Sequence, residues 1–521
     1  MSHHEHRTEN DASWSSRMEE GRGSKPPRQA SSGGRRLGAV VVLILLSSIL
    51  TYQLLIPPVI GLADQGDYGR VFQRFGIDTD IADYSHRYFG HFIRTWKVDQ
   101  KKAIRNGFLS PDVPLVGVSL ALNTLLSKTG LYDIRCLALV RMAIFLAAAA
   151  LILQLAWRHG LLVRAVAVFA FLLVFADVGY VAYFNSGYSE PSSFLFGLLT
   201  IAFYLRLVAS EGNPWANLSG LASCAALLVW SKPQNILLGF VAGVAVLRLA
   251  RAYRTPRWRV GTRLAAIGLM GCSILCRIVP PPDWYRDFVR YIAVFTNVLP
   301  FSPDPQEDLQ ELGLDPSLAK FAGTLPWDKE PRESQKQLRQ LFYSRIGDGA
   351  LARFYLHHPG RIWTLLKASA PEGLWLRTGL GNFEESTGLA RFSYAQSFAL
   401  RSNFARRHGP NHLGWFAAWL GAVLCLAAAF WLRARAPARR LACEGIAWLV
   451  VAALSQYATV AILQGPHGTQ KQMFLFAFLF DCCLMATLAL VAHRVDGTLK
   501  RWKERHGPQV KTSEPTAQVL G

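Results

Sequence analysis

RRLGAVVVLILLSSILTYQLLIPPVIGLADQGDYGRV, residues 35–71, decides the fold class. From Leu37 to Ile56 it carries no charge. About 20 such residues, rising 1.5 Å each as a helix, cross a bilayer core of about 30 Å. Residues 1–36, rich in Ser, Gly, Arg and Glu, lack the means to build a core and read as a disordered cytoplasmic tail. A tail of that length, with no small-residue cleavage site after the run, fits a retained anchor rather than a cleaved signal peptide. Beyond the run the chain exposes Asp64 and Asp67, with Arg70 close behind.

The rest of the 521 residues repeats the pattern. Half is hydrophobic (51%), and only 17% is charged, against about 25% in soluble domains. A net charge of +21 on so apolar a chain argues against a soluble nucleic-acid binder, and no nucleic-acid partner is expected. The eight cysteines sit in or beside apolar runs, which argues against a disulfide framework. No Cys/His spacing suits structural zinc and no phosphate-binding GxxxxGK[ST] loop occurs.

Further spans read at about 136–157, 163–183, 192–208, 216–231, 234–250, 262–279, 413–432, 444–463 and 473–492, making about ten in an all-α polytopic membrane protein. Alternate loops are basic, as the positive-inside rule requires. Arg248 to Arg263 fill one, Arg433 to Arg440 another, and Arg494 to Arg505 follow the last span, whereas loops 184–191, 232–233 and 464–472 hold just Lys232 and Lys471. Both termini are thus expected in the cytoplasm. The division expected is a tail (1–36), an N-terminal membrane module (37–279) containing a first extracytoplasmic loop (57–135), a large extracytoplasmic helical loop (280–412), C-terminal spans (413–493) and a basic cytoplasmic tail (494–521). The exported segments are nearly charge-balanced, with eight basic and seven acidic residues over 57–112 and sixteen and fourteen over 283–407. Residues 113–127 are apolar but too short to span, and suit a helix along the membrane surface. Helix-period apolar positions recur over 284–299 and 333–357, with prolines between.

Asp64 and Asp67 leave the bilayer where a carboxylate reaches both a lipid headgroup and an aqueous acceptor, a general-base position. The same residues also suit a capped turn, Asp67 capping a helix over 68–75. YFNSGYSEPSS places Asn185, Tyr188 and Glu190 in a short outer loop. There Glu190 is either a site residue or a helix N-terminal charge ahead of Pro191. Lys232 and Gln234 of WSKPQN, and His467 and Lys471 of QGPHGTQKQMF, occupy two more outer turns, where a lone cation often just snorkels. Cations gathered at one level suit a phosphate that is both anchor and leaving group. Asn382 and Glu384, after a Gly-Asn turn, are second-tier candidates over the same site. The aromatics of the second export, and Tyr355, His357, His358 and Arg361 beside a helix break at Pro359, read as that loop's own core.

The succession LADQGDYGRV, YDIR (132–135), FNSGYSEP, KPQN, FYLHHPGR (354–361), LGNFEE (380–385), FALRS (398–402) and GTQKQMFLFAFLFD (468–481) resembles bacterial glycan-biosynthesis hexosyltransferases of the GT-C superfamily, over about residues 37 to 493. The resemblance implies transfer from a polyprenyl-phosphate sugar to a glycan, lipid or protein acceptor at the periplasmic face of a bacterial inner membrane. It also implies an essential acid in the first external loop: Asp67, with Asp64 second. Lys232, Lys471, Arg135 and His467 would then face the departing phosphate. Two departures stand out: Gln65 precedes Gly66 where related families show Asn, and Gln472 stands where a His is expected after the lysine. No cofactor and no essential metal are expected, although Asp64, Asp67 and Glu190 offer oxygen ligands for a divalent cation. A transporter or flippase is the competing class, but its polar residues belong near the midplane and in two related halves, which this chain lacks.

Overall fold

The computed structural model describes residues 32–104, 109–253, 255–279, 282–409, 412–466 and 470–506. Its helices include α1 (Ser32–Leu54), α2 (Asp112–Leu126), α3 (Arg135–Ala156), α4 (Leu161–Phe169), α5 (Glu190–Val208), α6 (Pro214–Ser231), α7 (Ile236–Arg248), α8 (Pro256–Ile278), α9 (Asp283–Tyr291), α10 (Leu400–His408), α11 (Leu413–Arg433), α12 (Pro437–Gln464) and α13 (Phe474–His506). The chain is an all-α multi-pass membrane protein, as the apolar runs predict. All ten expected spans are helical. Among the described residues, eight helices have the length and hydropathy to cross a membrane, and a ninth candidate is bent.

Two of the ten therefore differ from expectation. The third, 163–183, is not one rod. It bends by 56° after Phe175, where Asp177 accepts from the Gly179 amide (2.8 Å) and starts a new helix. The fifth, α6, carries Asn217, Ser219, Ser223 and Ser231, so it is less apolar than its neighbours. It packs against both α5 and α8. α2, at 15 residues, is too short to span.

Burial sorts the bundle. α8 and α11 turn most of their apolar side chains outward, as lipid-facing helices do, whereas α13 is largely enclosed. Its Phe474, Phe476 and Phe478 mesh with Tyr183, Tyr457 and Phe194 at ring separations of 4.7, 5.0 and 5.0 Å. The arginine-rich turns meet at one end, where Arg248 pairs with Glu444 (2.7 Å) and Arg494 lies over Phe430. At that end a cavity of about 500 Å³, lined by apolar side chains, opens between helices, with His159, Arg439, His493 and Arg494 at its mouth. The two long segments gather at the opposite end.

There the first long segment adds one feature that helical periodicity does not announce. A small antiparallel sheet joins β1 (Ile77–Asp78), β2 (Thr95–Val98) and β3 (Leu131–Asp133), with Trp96 opposite Tyr132. Their buried rings meet Tyr68 and Phe72 at 5.3 to 5.8 Å. In the second segment the helix expected over 284–299 is present, continuing from α9 through a π-helical stretch to Val298. The helical reading of 333–357 is interrupted between Tyr343 and Asp348. The break before Pro359 is where its ring demands it.

Candidate active site

Asp64 builds the turn that presents Asp67. Its Oδ1 accepts from the Gly66 amide at 2.7 Å and the Tyr68 amide at 3.2 Å. Gly66 sits at φ +101°, a conformation glycine tolerates. The helix Gly69–Phe72 follows, and its Tyr68 and Phe72 anchor in the aromatic cluster on the sheet. Asp64 itself is buried. Burial pushes its carboxyl up to about 6, against the two amide bonds. The capped-turn reading thus describes Asp64, while Asp67 does not cap the helix and faces a cavity of about 180 Å³.

In that cavity Asp67 Oδ1 meets Arg70 Nη2 at 2.6 Å and Oδ2 meets Lys471. Burial alone would raise this carboxyl; Lys471 and Arg70 overcome it and take it down to about 2. Lys471 Nζ stands 4.5 Å from the centre of the Tyr188 ring. The Tyr188 hydroxyl accepts from the Gln65 amide (2.9 Å) and donates to the Ala63 carbonyl (2.8 Å), stitching the loop before α5 to the Asp67 turn. Arg70 lies over Tyr285 and Trp284 of α9, at 5.1 and 5.7 Å, which brings the second long segment over the first.

Deeper in, Glu190 at the start of α5 accepts from Lys232 Nζ at 2.6 Å, both nearly inaccessible to solvent (2% and 10% exposed). Lys232 also donates to Gln472 Oε1 (3.0 Å), and Gln234 Nε2 to the Gln472 carbonyl (3.1 Å). Burial holds the Lys232 ammonium below the usual lysine range, against the pull of Glu190. Gln472, a departure from the family pattern, thus ties its own turn to the Lys232–Gln234 turn, and Lys232 carries the link on to Glu190. Trp230, Cys276 and Val279 give the cavity an apolar wall where α6 and α8 face each other.

Asp67, Arg70, Tyr188, Glu190, Lys232, Gln234 and Lys471 therefore converge. The other sequence candidates are engaged elsewhere. Arg135 makes a bidentate pair with Asp133 (Nη2 to Oδ2 2.6 Å, Nε to Oδ1 3.0 Å) and does not line the cavity. Asn185 donates to the Leu54 and Ile60 carbonyls, fixing the end of α1. Asn382 donates to Gly61 (2.8 Å) and accepts from Ala395, so it splices the two long segments. Glu384 faces Arg94 at 3.5 Å. His467 lies outside the described residues. Asp64, Asp67 and Glu190 are each committed to other partners, and among the described residues no group of three or more His, Cys, Asp or Glu side chains suits a metal ion.

Sequence reasoning missed Arg141, a fully buried arginine in α3. It donates to Asp112 (2.9 Å) and to the carbonyls of Tyr183, Phe184, Ser186 and Tyr188, holding the whole loop that presents Tyr188 and Glu190. A charge inside an apolar run was its signal. The aromatic roof, Trp284 and Tyr285, had none, since only the fold brings it there.

The family description "YfdI N-terminal transmembrane domain" matches residues 28–512. The chain belongs to that family. The GT-C relation implied by the motif succession stands with it. No curated protein matches. Among solved structures the chain is similar to the archaeal oligosaccharyltransferase AglB from Archaeoglobus fulgidus in complex with an inhibitory peptide and a dolichol-phosphate, at 13% identity and TM-score 0.40, covering 92% of this chain and 53% of that one. The apo form of the Archaeoglobus fulgidus oligosaccharyltransferase gives 13%, 0.39, 90% and 52%. The chain spans about half the length of the solved structures it matches.

Proposed function

We propose that this chain is a membrane glycosyltransferase that moves a hexose from a polyprenyl-phosphate donor to a hydroxyl of a periplasmic or cell-surface glycan, lipid or protein. One observation carries the reading: Asp67 faces a small cavity that Arg70, Glu190 and Lys232 also line beside an apolar wall, and it is ion-paired to Arg70 and to the buried Lys471. The arginine-rich turns lie at the other end of the bundle, and the positive-inside rule supports the proposed non-cytoplasmic position of the cavity.

In the reaction the acceptor oxygen attacks the anomeric carbon while Asp67 takes its proton. The new C–O bond forms as the bond from carbon to phosphate oxygen breaks, and the electron pair leaves with the lipid phosphate. Lys232, Lys471 and Arg70 offset the charge gathering on that phosphate, a role in which one preorganised donor is worth about 3 to 4 kcal/mol. Arg70 replaces Arg135 in this assignment. The reading includes no essential metal; activity lost to chelator and restored by magnesium or manganese would reverse that part.

The test is incubation of purified protein in nanodiscs with a panel of radiolabelled polyprenyl-phosphate hexoses and cell-envelope extract. Label should pass to a new product with the wild type and not with Asp67→Asn. Full turnover by Asp67→Asn would remove the base assignment, and no transfer from any donor would remove the function.

A further inference from the structure

We infer that Asp67 is the resting occupant of the donor phosphate's seat: an incoming phosphate exchanges places with its carboxylate between Arg70 and Lys471, and only then is the carboxylate free to act as base. The inference rests on the transferase reading and adds the step that switches its site on.

The geometry is that of a substitute ligand. One carboxylate oxygen takes Arg70 and the other takes Lys471, the two-oxygen, two-cation arrangement that a phosphate satisfies equally well. Lys471 is held from outside the Asp67 turn, over Tyr188 at the head of α13, while Arg70, in the short helix that follows Asp67, is covered by the α9 aromatics. Asp67 follows Gly66, where a Cβ would meet nothing within 4 Å, so the turn has room on that side.

The charge count agrees. Among the described residues lining the cavity or ion-paired to them, three cations face two anions. The pair Glu190 and Lys232 is already matched, which leaves Asp67 with two cations to itself and one positive charge in excess. A phosphodiester carries one negative charge and completes the balance. A carboxylate gripped by two cations is a poor proton acceptor. Handing both cations to the phosphate restores its basicity when the acceptor hydroxyl needs it. After transfer the proton sits on Asp67. Its loss to water regenerates the carboxylate, which competes the product phosphate off Arg70 and Lys471.

The test is equilibrium binding of radiolabelled polyprenyl monophosphate to the full chain in nanodiscs, with neutral polyprenol and inorganic phosphate as further arms. Asp67→Asn, unable to transfer, should bind the lipid phosphate about tenfold tighter, and Lys471→Gln about tenfold weaker, a factor of ten being about 1.4 kcal/mol. Neither should alter polyprenol binding. Inorganic phosphate competing with the same ordering makes the phosphate group sufficient. Inorganic phosphate that leaves the lipid in place, with the ordering kept, makes phosphate and tail the joint ligand. If Asp67→Asn does not fold, Asp67→Ser carries the same expectation. Unchanged or weaker binding by a folded Asp67 variant overturns the inference, as does polyprenol binding as tightly as its phosphate. Label transfer plays no part in the readout: protein that binds as expected but transfers nothing keeps the exchange and loses the transferase.

Discussion

Removing the Lys232 ammonium should be costly out of proportion to one lost hydrogen bond. Lys232→Met strips Glu190 of a partner 2.6 Å away while Glu190 stays 2% exposed, and leaves Gln472 Oε1 without its donor. Breaking a buried pair from one side costs about 3 to 5 kcal/mol, because an uncompensated charge stays buried. Lys232→Met/Glu190→Gln has no stranded charge and should recover all but about 1 kcal/mol of that loss. Transfer should not recover with it, since the cation that would face the departing phosphate is still gone. The assay is reversible unfolding in mixed micelles, followed by tryptophan fluorescence since Trp230 lines the same cavity, alongside label transfer from a polyprenyl-phosphate hexose. A double variant no more stable than Lys232→Met would refute the electrostatic account. A double variant with wild-type turnover would refute the catalytic one.

Arg141→Met should destabilise by more than about 3 kcal/mol, because Asp112 loses its cation inside the fold; a melting curve matching wild type would show that the loop it holds stands without it. Gly187→Ala places a Cβ 2.6 Å from Tyr68 Cγ, so overpacking should cost about 1 to 3 kcal/mol and shift the Asp67 turn, read as lost lipid-phosphate binding. Asp64→Asn keeps an Oδ1 acceptor for the Gly66 and Tyr68 amides. Burial raises the Asp64 carboxyl to about 6, so its stabilising contribution is full below the ordinary value of about 3.9 and is lost as pH rises through 6. Wild-type stability should therefore fall relative to Asp64→Asn between about pH 4 and 7, and parallel curves would count against it.

Much of this architecture is written as runs of a single property. A membrane span announces itself by length and apolarity, which is why α1, α3, α5, α7, α8 and α11 to α13 are legible, whereas α6, read as a span from its apolar run, is diluted by Asn217 and three serines and falls short of the others in hydropathy. Outer turns were legible for a related reason: charge is scarce there, so Glu190, Lys232 and Lys471 stand out. Which of them touch is not written locally. Asp67 and Lys471 meet across most of the chain, and nothing near Asn382 says that its polar atoms are spent on Gly61 and Ala395. Only Gln65 and Gly66 separate the two aspartates, and the positive-φ backbone of Gly66 turns one carboxylate inward and the other toward the cavity. Composition cannot weigh that; a dihedral angle can.

The site joins parts of very different stiffness. Lys471 and Gln472 lead straight into one of the most enclosed rods of the bundle, where ring after ring is interlocked with Tyr183, Phe194 and Tyr457. A close-packed interior yields little, so the ammonium is in effect mounted on bedrock. Its carboxylate partner follows a glycine with open space beside it. Compliance therefore resides on one side of the ion pair, and any ligand wedged between the two will be accommodated by movement of the loop rather than by movement of the membrane core.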